Sequence, residues 1–428
     1  MPRRSFLGLS NLTACFDFMK TISKIISLLL FAISIPLFLV SCQNEKKEDA
    51  EPEETQSNKV AQVRTLYATQ GNAPTVGAMY PRVIQIKHHA ESKGNLLVTF
   101  EHYMNREPSF PIYRSTDNGE TWSLLSEVED TKNKFGMKYQ PHLFELPQQV
   151  GEFPAGTIFC SGNSIPKDMS STELLVYASR DGGKSWEFLS SIIKGGRAIY
   201  PNKGETPVWE PFLALDSIGR LVAYYSDEQY ENKKLDQILA HKVSEDGGKT
   251  WGKEVFDVAV ADGKTRPGMA IVSKLPNGKY MMVFEIVGVE GIPIHYKISD
   301  DGVDWGDPAD LGKKILTKEG HFLRSTPYVI WSPYGGEKGT ILVSGMAVNM
   351  NGKEVGKGYM INRNLGEGDW TYIEAPITYS TGGDGPPGGY SQTMITLDDS
   401  GREILQLVPV PNGNKSNMDI QYAKFYLP

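Results

Sequence analysis

The sequence predicts an all-β chain: a six-bladed β-propeller of four-stranded antiparallel blades, closed by an N-terminal strand. Three observations predict it. A short turn motif recurs at intervals of about sixty residues. A second repeat, offset from the first, marks pairs of strongly apolar strands. The composition, 43 glycines and 26 prolines among 428 residues, supplies the many tight turns such a chain needs.

The first 41 residues stand apart from that fold. Lys20 and Lys24 precede the apolar run Ile25–Val40, which is short for a bilayer span. Small residues then lead to Cys42. This is the layout of a secretory signal peptide over residues 1–41, with Met19 as the expected start. The alternative is a transmembrane anchor that stays attached. The ending Leu39-Val40-Ser41-Cys42 resembles the bacterial lipobox, which implies lipidation of Cys42 and a lipoprotein of the outer membrane. Residues 42–60 are dense in charge and nearly free of apolar side chains, as expected of a disordered acidic tether. Its Lys-Glu-Asp segment resembles the acidic export signal of some surface lipoproteins. The propeller is expected over residues 61–428.

Residues 1–41 hold four of the 44 Lys and Arg and one of the 51 Asp and Glu, so the remainder carries a net charge of −10. No basic patch is left to attract nucleic acid. The only membrane contact expected is through the lipid on Cys42, and the mature chain is expected to be a monomer. Cys160 is the one cysteine of the folded part, which excludes an internal disulfide and suggests an inert core thiol.

The turn motif reads STDNGETW (Ser115–Trp122), SRDGGKSW (Ser179–Trp186) and SEDGGKTW (Ser244–Trp251). A shortened copy spans Ser299–Trp305, and a worn one lies in Asn362–Trp370. Aspartate caps backbone amides, glycine supplies the positive φ, and tryptophan covers the turn. The motif resembles the Asp-box of sialidases and related propellers, where it is structural. The second repeat has the form x-Pro-x-apolar, turn, apolar strand. It is marked by Pro81, Pro141, Pro211, Pro267 and Pro327 at steps of 60, 70, 56 and 60, with Ser391 in the sixth copy. Each unit thus holds an inner hairpin, then an outer pair joined by the Asp-box turn. The last unit runs out one strand short at its C-terminus, and residues 62–69 ahead of the first repeat can supply that strand.

In such a fold the start of each innermost strand and the end of the second strand open on one mouth of the channel. Strand starts bring Tyr80 and Arg82, Gln140 and His142, Glu210, Arg266, Arg324 with Thr326, and Tyr390. Strand ends bring Glu101, Asn163, Asp227 with Glu228, and Glu285. This is a polar pocket rich in acids, and paired carboxylates are the equipment of glycoside hydrolysis. Glu210 sits between Trp209 and Pro211-Phe212, a setting that should raise its pKa and suit an acid. Glu285, near Arg266, should stay ionised and suit a nucleophile. The alternative for each glutamate read alone is an arginine partner or a binder of sugar hydroxyls.

The phrases YPR (Tyr80–Arg82), WEPF (Trp209–Phe212), YYSDE (Tyr224–Glu228), RPGM (Arg266–Met269), MVFEIVG (Met282–Gly288) and GGYSQ (Gly388–Gln392) resemble those of the family 93 glycoside hydrolases over residues 62–428. The resemblance implies a retaining exo-α-1,5-L-arabinanase on a sialidase-like propeller. It implies Glu210 and Glu285 as the catalytic pair, and Tyr390 as a tyrosine touching the nucleophile. It leaves open which glutamate plays which role. Substrate contacts are expected from Tyr80, Arg82, His142, Trp209, Asp227, Arg266 and Arg324, with an oligo- or polysaccharide as partner. Two other readings compete. A sialidase would grip a carboxylate with Arg82, Arg266 and Arg324 and attack with Tyr390 backed by Glu285. A glycan-binding propeller would need no carboxylate pair at all. No metal or other cofactor is expected, because the seven histidines are scattered without ligand spacing. The loop Gly382–Tyr390 is expected to border the pocket.

Overall fold

The computed structural model describes residues 61–70, 76–103, 106–199, 204–381, 387–413 and 417–428. The signal peptide, Cys42 and the tether fall outside the described residues, as do residues 382–386 of the loop before Tyr390. Six four-stranded antiparallel sheets and one three-stranded sheet make up the described chain. The first sheet contains Ala78–Gln85, Leu96–His102, Phe110–Ser115 and Ser123–Val128. The second contains Met137–Glu145, Ile158–Ser164, Thr172–Ser179 and Glu187–Gly195. The third and fourth begin with the hairpins Val208–Leu215/Leu221–Asp227 and Arg266–Lys274/Tyr280–Val287. The fifth opens with Tyr328–Ser332, and the sixth with Thr393–Thr396. Arg64–Tyr67 pairs with the C-terminal strand Met418–Tyr426 as fourth member of the sixth sheet.

The innermost strands touch one another in order, and that of the sixth sheet touches that of the first. Apolar side chains fill the spaces between neighbouring sheets. Phe159, Leu174 and Val176 of the second sheet, for example, meet Leu213, Ala223 and Tyr225 of the third. Full burial of each such large side chain stabilises the fold by about 2 kcal/mol before ordering costs. Cys160 lies in another of these layers, and burial pushes its thiol far up.

The Asp-box turns fasten one sheet to the next. Asp246 accepts from the Thr250 amide at 2.9 Å, the Thr250 hydroxyl at 2.6 Å and the Lys249 amide at 3.0 Å. The Trp251 indole then donates to Ser190 Oγ of the preceding sheet at 3.0 Å. Trp186 does the same to Ser126 at 3.1 Å. In the worn fifth copy Asn362 takes the serine's place, accepting from the Gly366 amide at 2.9 Å as Ser244 accepts from the Gly248 amide at 2.7 Å.

The prolines of the second repeat mark a bulge. The inner-strand register slips between Met79 and Arg82, Tyr139 and His142, Trp209 and Phe212, and Gly268 and Ile271. At each slip one residue adopts the left-handed conformation: Tyr80 (φ 54°), Gln140 (59°), Glu210 (61°) and Met269 (59°), matched by Thr326 (43°) and Ser391 (54°). A non-glycine residue held there costs on the order of 1 kcal/mol or more. Proline comes directly after four of the six, where the interrupted ladder needs no amide donor. The fourth repeat corrects the sequence reading, because its bulge falls at Met269, two residues beyond Pro267. A second correction concerns Arg324. It ends Phe322–Arg324 of the three-stranded sheet rather than opening the fifth inner strand.

Candidate active site

The bulge turns a backbone N–H sideways, toward the preceding sheet. Four of the six left-handed residues spend that donor in one consistent way. The Gln140 amide donates to Glu101 Oε1 at 2.8 Å, and the Glu210 amide to Gln140 Oε1 at 3.1 Å. The Met269 amide donates to Glu210 Oε2 at 2.8 Å, and the Thr326 amide to Glu285 Oε2 at 2.7 Å. Serine hydroxyls complete the two latter contacts, Ser226 on Glu210 and Ser325 on Glu285, each at 2.6 Å. Glu210 and Glu285 are therefore held alike: two donors on one carboxylate oxygen, leaving the other oxygen to the cavity.

That cavity, about 480 Å³, is lined by Glu101, Gln140, Glu210, Glu228, Glu285 and Tyr390, together with Arg266 and an aromatic wall. Burial raises the carboxyl of Glu210 to about 7 against the hydrogen bond from Ser226, and the charge of Glu285 pushes the same way. The Glu285 carboxyl is also raised by burial. Its bonds from Ser325 and Thr326 oppose the rise, as do the charges of Arg324 and Arg266. Glu101, taking the Tyr103 hydroxyl at 2.6 Å, is raised by burial to about 7. Burial, then the charges of Glu285, Glu210 and Glu101, push the Tyr390 phenol well above its ordinary range, so it stays a neutral donor. The site can thus hold a proton on one carboxyl and a negative charge on another within one pocket.

The cavity brings together Glu210, Glu285, Tyr390, Trp209 and Arg266. The other expected contacts are not among its lining residues. Tyr80 is buried and its ring carries the Arg82 guanidinium, 4.0 Å from the ring centre. Arg82 is itself 2% exposed and donates to Ser391 O at 3.0 Å and Ser391 Oγ at 2.9 Å. His142 accepts the Leu213 amide on Nδ1 at 3.0 Å, and burial pushes it well below its usual pKa. Asp227 turns away to accept the Gln229 amide at 2.7 Å, and burial raises it to about 7. Arg324 pairs with Glu354 at 3.1 Å. For Arg82 and His142, which follow the bulge, the extra residue rotates the side chains into the packing instead of the mouth. Asp227 ends a second strand that runs without a slip, and Arg324 belongs to the three-stranded sheet. Hence the three arginines do not converge. Arg266 pairs with Glu228 at 2.8 Å and with Asp236 at 3.4 Å.

Sequence reasoning gathers Glu101, Gln140 and Glu228 at the mouth without giving them a role. It does not find Tyr103, Tyr139 or Gln237. A signal for Tyr139 is present, since Tyr139-Gln140-Pro141 and Trp209-Glu210-Pro211 occupy the same register positions.

A family model described as BNR/Asp-box repeat matches residues 113–124. Solved structures match far more of the chain. The α-L-arabinanase of Penicillium chrysogenum, solved with arabinobiose, is 36% identical with a TM-score of 0.74, over 86% of this chain and 99% of its own. The GH93 α-L-arabinofuranosidase of Fusarium graminearum, also solved with arabinobiose, is 32% identical with a TM-score of 0.72, over 86% and 98%. A Hadza microbial sialidase, 13% identical with a TM-score of 0.56 over 85% of this chain and 68% of its own, shares the fold alone. A search of curated proteins found no match.

Proposed function

This chain belongs to the family 93 glycoside hydrolases, and from that premise we propose that it releases arabinobiose from the ends of α-1,5-L-arabinan with retention of configuration. The observation that carries the reading is the matched pair of Glu210 and Glu285, gripped alike and open to one cavity. Glu210, with its carboxyl near neutrality, suits the acid. Glu285 is also raised by burial, against the bonds from Ser325 and Thr326 and the charges of Arg324 and Arg266, and we assign it as the nucleophile. In the first step Glu285 bonds to the anomeric carbon as the glycosidic C–O bond breaks, and Glu210 passes its proton to the departing oxygen. In the second step Glu210, now a base, takes a proton from water. The water oxygen bonds to the anomeric carbon and Glu285 leaves as carboxylate. Tyr390, a neutral phenol beside both, is proposed to donate to Glu285 when its charge returns.

The sialidase reading loses its support with the arginines. Arg82 is spent on Ser391, Arg266 on Glu228 and Arg324 on Glu354, which leaves no three-arginine clamp for a substrate carboxylate. We further read the six four-stranded sheets as blades of one six-bladed propeller closed by Arg64–Tyr67, a reading supported by the cyclic contacts of the innermost strands. We also propose export and lipidation at Cys42, with a monomeric enzyme tethered to the outer membrane by residues 42–60; the lipobox-like ending supports this. Incubation with debranched arabinan and with a sialoside, with products read by mass and anomers by NMR, tests the activity. Arabinobiose released first as the retained anomer is expected. Sialic acid release, or an inverted first product, would overturn it.

A further inference from the structure

Over the first three sheets the cavity is lined by a row of aromatic rings. The residues just before the bulge are Met79, Tyr139, Trp209, Gly268, Ser325 and Tyr390 around the six sheets. The two smallest, Gly268 and Ser325, adjoin the carboxylate pair. A Cβ on Gly268 would stand 2.7 Å from Gln237 Nε2, so no larger residue fits there without a shift. Tyr103, Tyr139 and Trp209 form a row across the first three sheets, with ring centres 6.0 and 6.4 Å apart. All three are half-buried and line the cavity.

The row is fixed at both ends by carboxylates that are themselves buried. Glu101, 5% exposed, takes the Tyr103 hydroxyl at 2.6 Å. Glu228, 6% exposed, takes the Trp209 indole N–H at 2.7 Å and is balanced by Arg266. Burying a carboxylate only to fix a ring is costly unless the ring's orientation matters. Rings locked before binding present apolar faces at little entropic cost, as sugar stacking requires. The neighbouring polar groups are mostly acids, which disfavours an anionic sugar and leaves a neutral one.

We infer that Tyr103, Tyr139 and Trp209 form a stacking wall for a neutral sugar chain extending from the carboxylate pair, with Glu228 as the positioning residue for Trp209. The inference rests on the arabinan reading only for the identity of the sugar. The test is titration of linear arabino-oligosaccharides of increasing length, by calorimetry, into the full chain carrying Glu210→Gln. The same titration is then repeated with Tyr139→Ala, Trp209→Phe or Glu228→Ala added. Affinity is expected to rise with length in Glu210→Gln. Tyr139→Ala should remove about three- to tenfold of that gain, with the shortest ligand little affected. Glu228→Ala should weaken the same longer ligands while Glu228→Gln, which keeps an acceptor for the indole, restores them. A length profile unchanged by Tyr139→Ala and Trp209→Phe, or no binding at any length, would overturn the wall. Turnover by the unmodified enzyme is measured separately. A binding ladder without turnover would sink the hydrolase reading and leave the wall standing.

Discussion

Replacing Ser226 with alanine removes one of the two donors on Glu210 Oε2 and tests the roles of the pair directly. Ser226 is fully buried and donates at 2.6 Å, while the Met269 amide stays in place at 2.8 Å. A hydrogen bond to a charged acceptor is worth about 1.5–3 kcal/mol, and about 1.36 kcal/mol corresponds to one pKa unit. Part of the loss is recovered by relaxation, so the Glu210 carboxyl should rise by about one unit. The sign is fixed, because the lost bond favoured the ionised form. If Glu210 is the acid, the alkaline limb of kcat/KM moves up and activity persists at higher pH. If it is the nucleophile, the acidic limb moves up instead and activity at low pH is lost. Ser325→Ala should act in the same way through Glu285, on the opposite limb. The assay is kcat/KM on a linear arabino-oligosaccharide from about pH 4 to about pH 9, with melting curves to verify folding. Two folded variants with both limbs unmoved would refute the pairing of these serines with the chemistry.

Three further outcomes are expected. Glu285→Ala should abolish turnover, and external azide should restore part of it with an inverted glycosyl azide; rescue of Glu210→Ala in that manner would exchange the two roles. Asp246→Ala should lower stability by about 1–2 kcal/mol through loss of its turn contacts, while kcat of the folded enzyme is unchanged; an inactive variant with a normal melting curve would contradict a structural role. Glu101, raised from 4.5 to about 7, favours the folded state when protonated. Its contribution is full below about pH 4.5 and is lost as pH rises through about 7. Glu101→Gln should therefore gain on the unmodified chain over that window, by at most about 3 kcal/mol, and converge with it at lower pH. Parallel stability curves for the two would show that the burial of Glu101 carries no such cost.

The sheets are legible in the sequence because their turns need particular chemistry. Only aspartate at 117, 181 or 246 and glycine behind it close the outer hairpin, so the repeat survives in the letters. Glu210 and Glu285 are legible for a related reason, since strand ends of opposite direction must open on one face. The bulge is not legible, although the prolines announce it. A proline preceded by a left-handed residue reads in sequence like any strand start. One inserted residue then exchanges which side chains face the cavity and which face the packing. Counting along an unbroken strand puts Arg82 and His142 at the mouth, and the broken strand turns them away. Pro267 misleads by three residues: the marked bulges fall one residue before their proline, and this one falls at Met269, two residues after it. What no letter shows is that four of the six displaced amides find acceptors across a sheet boundary, Gln140 on Glu101, Glu210 on Gln140, Met269 on Glu210 and Thr326 on Glu285. The strain at these positions is thus coupled to the anions it orients. A carboxylate lost from one sheet leaves a strained, unpartnered amide in the next, so changes in this pocket should be felt by stability and chemistry together.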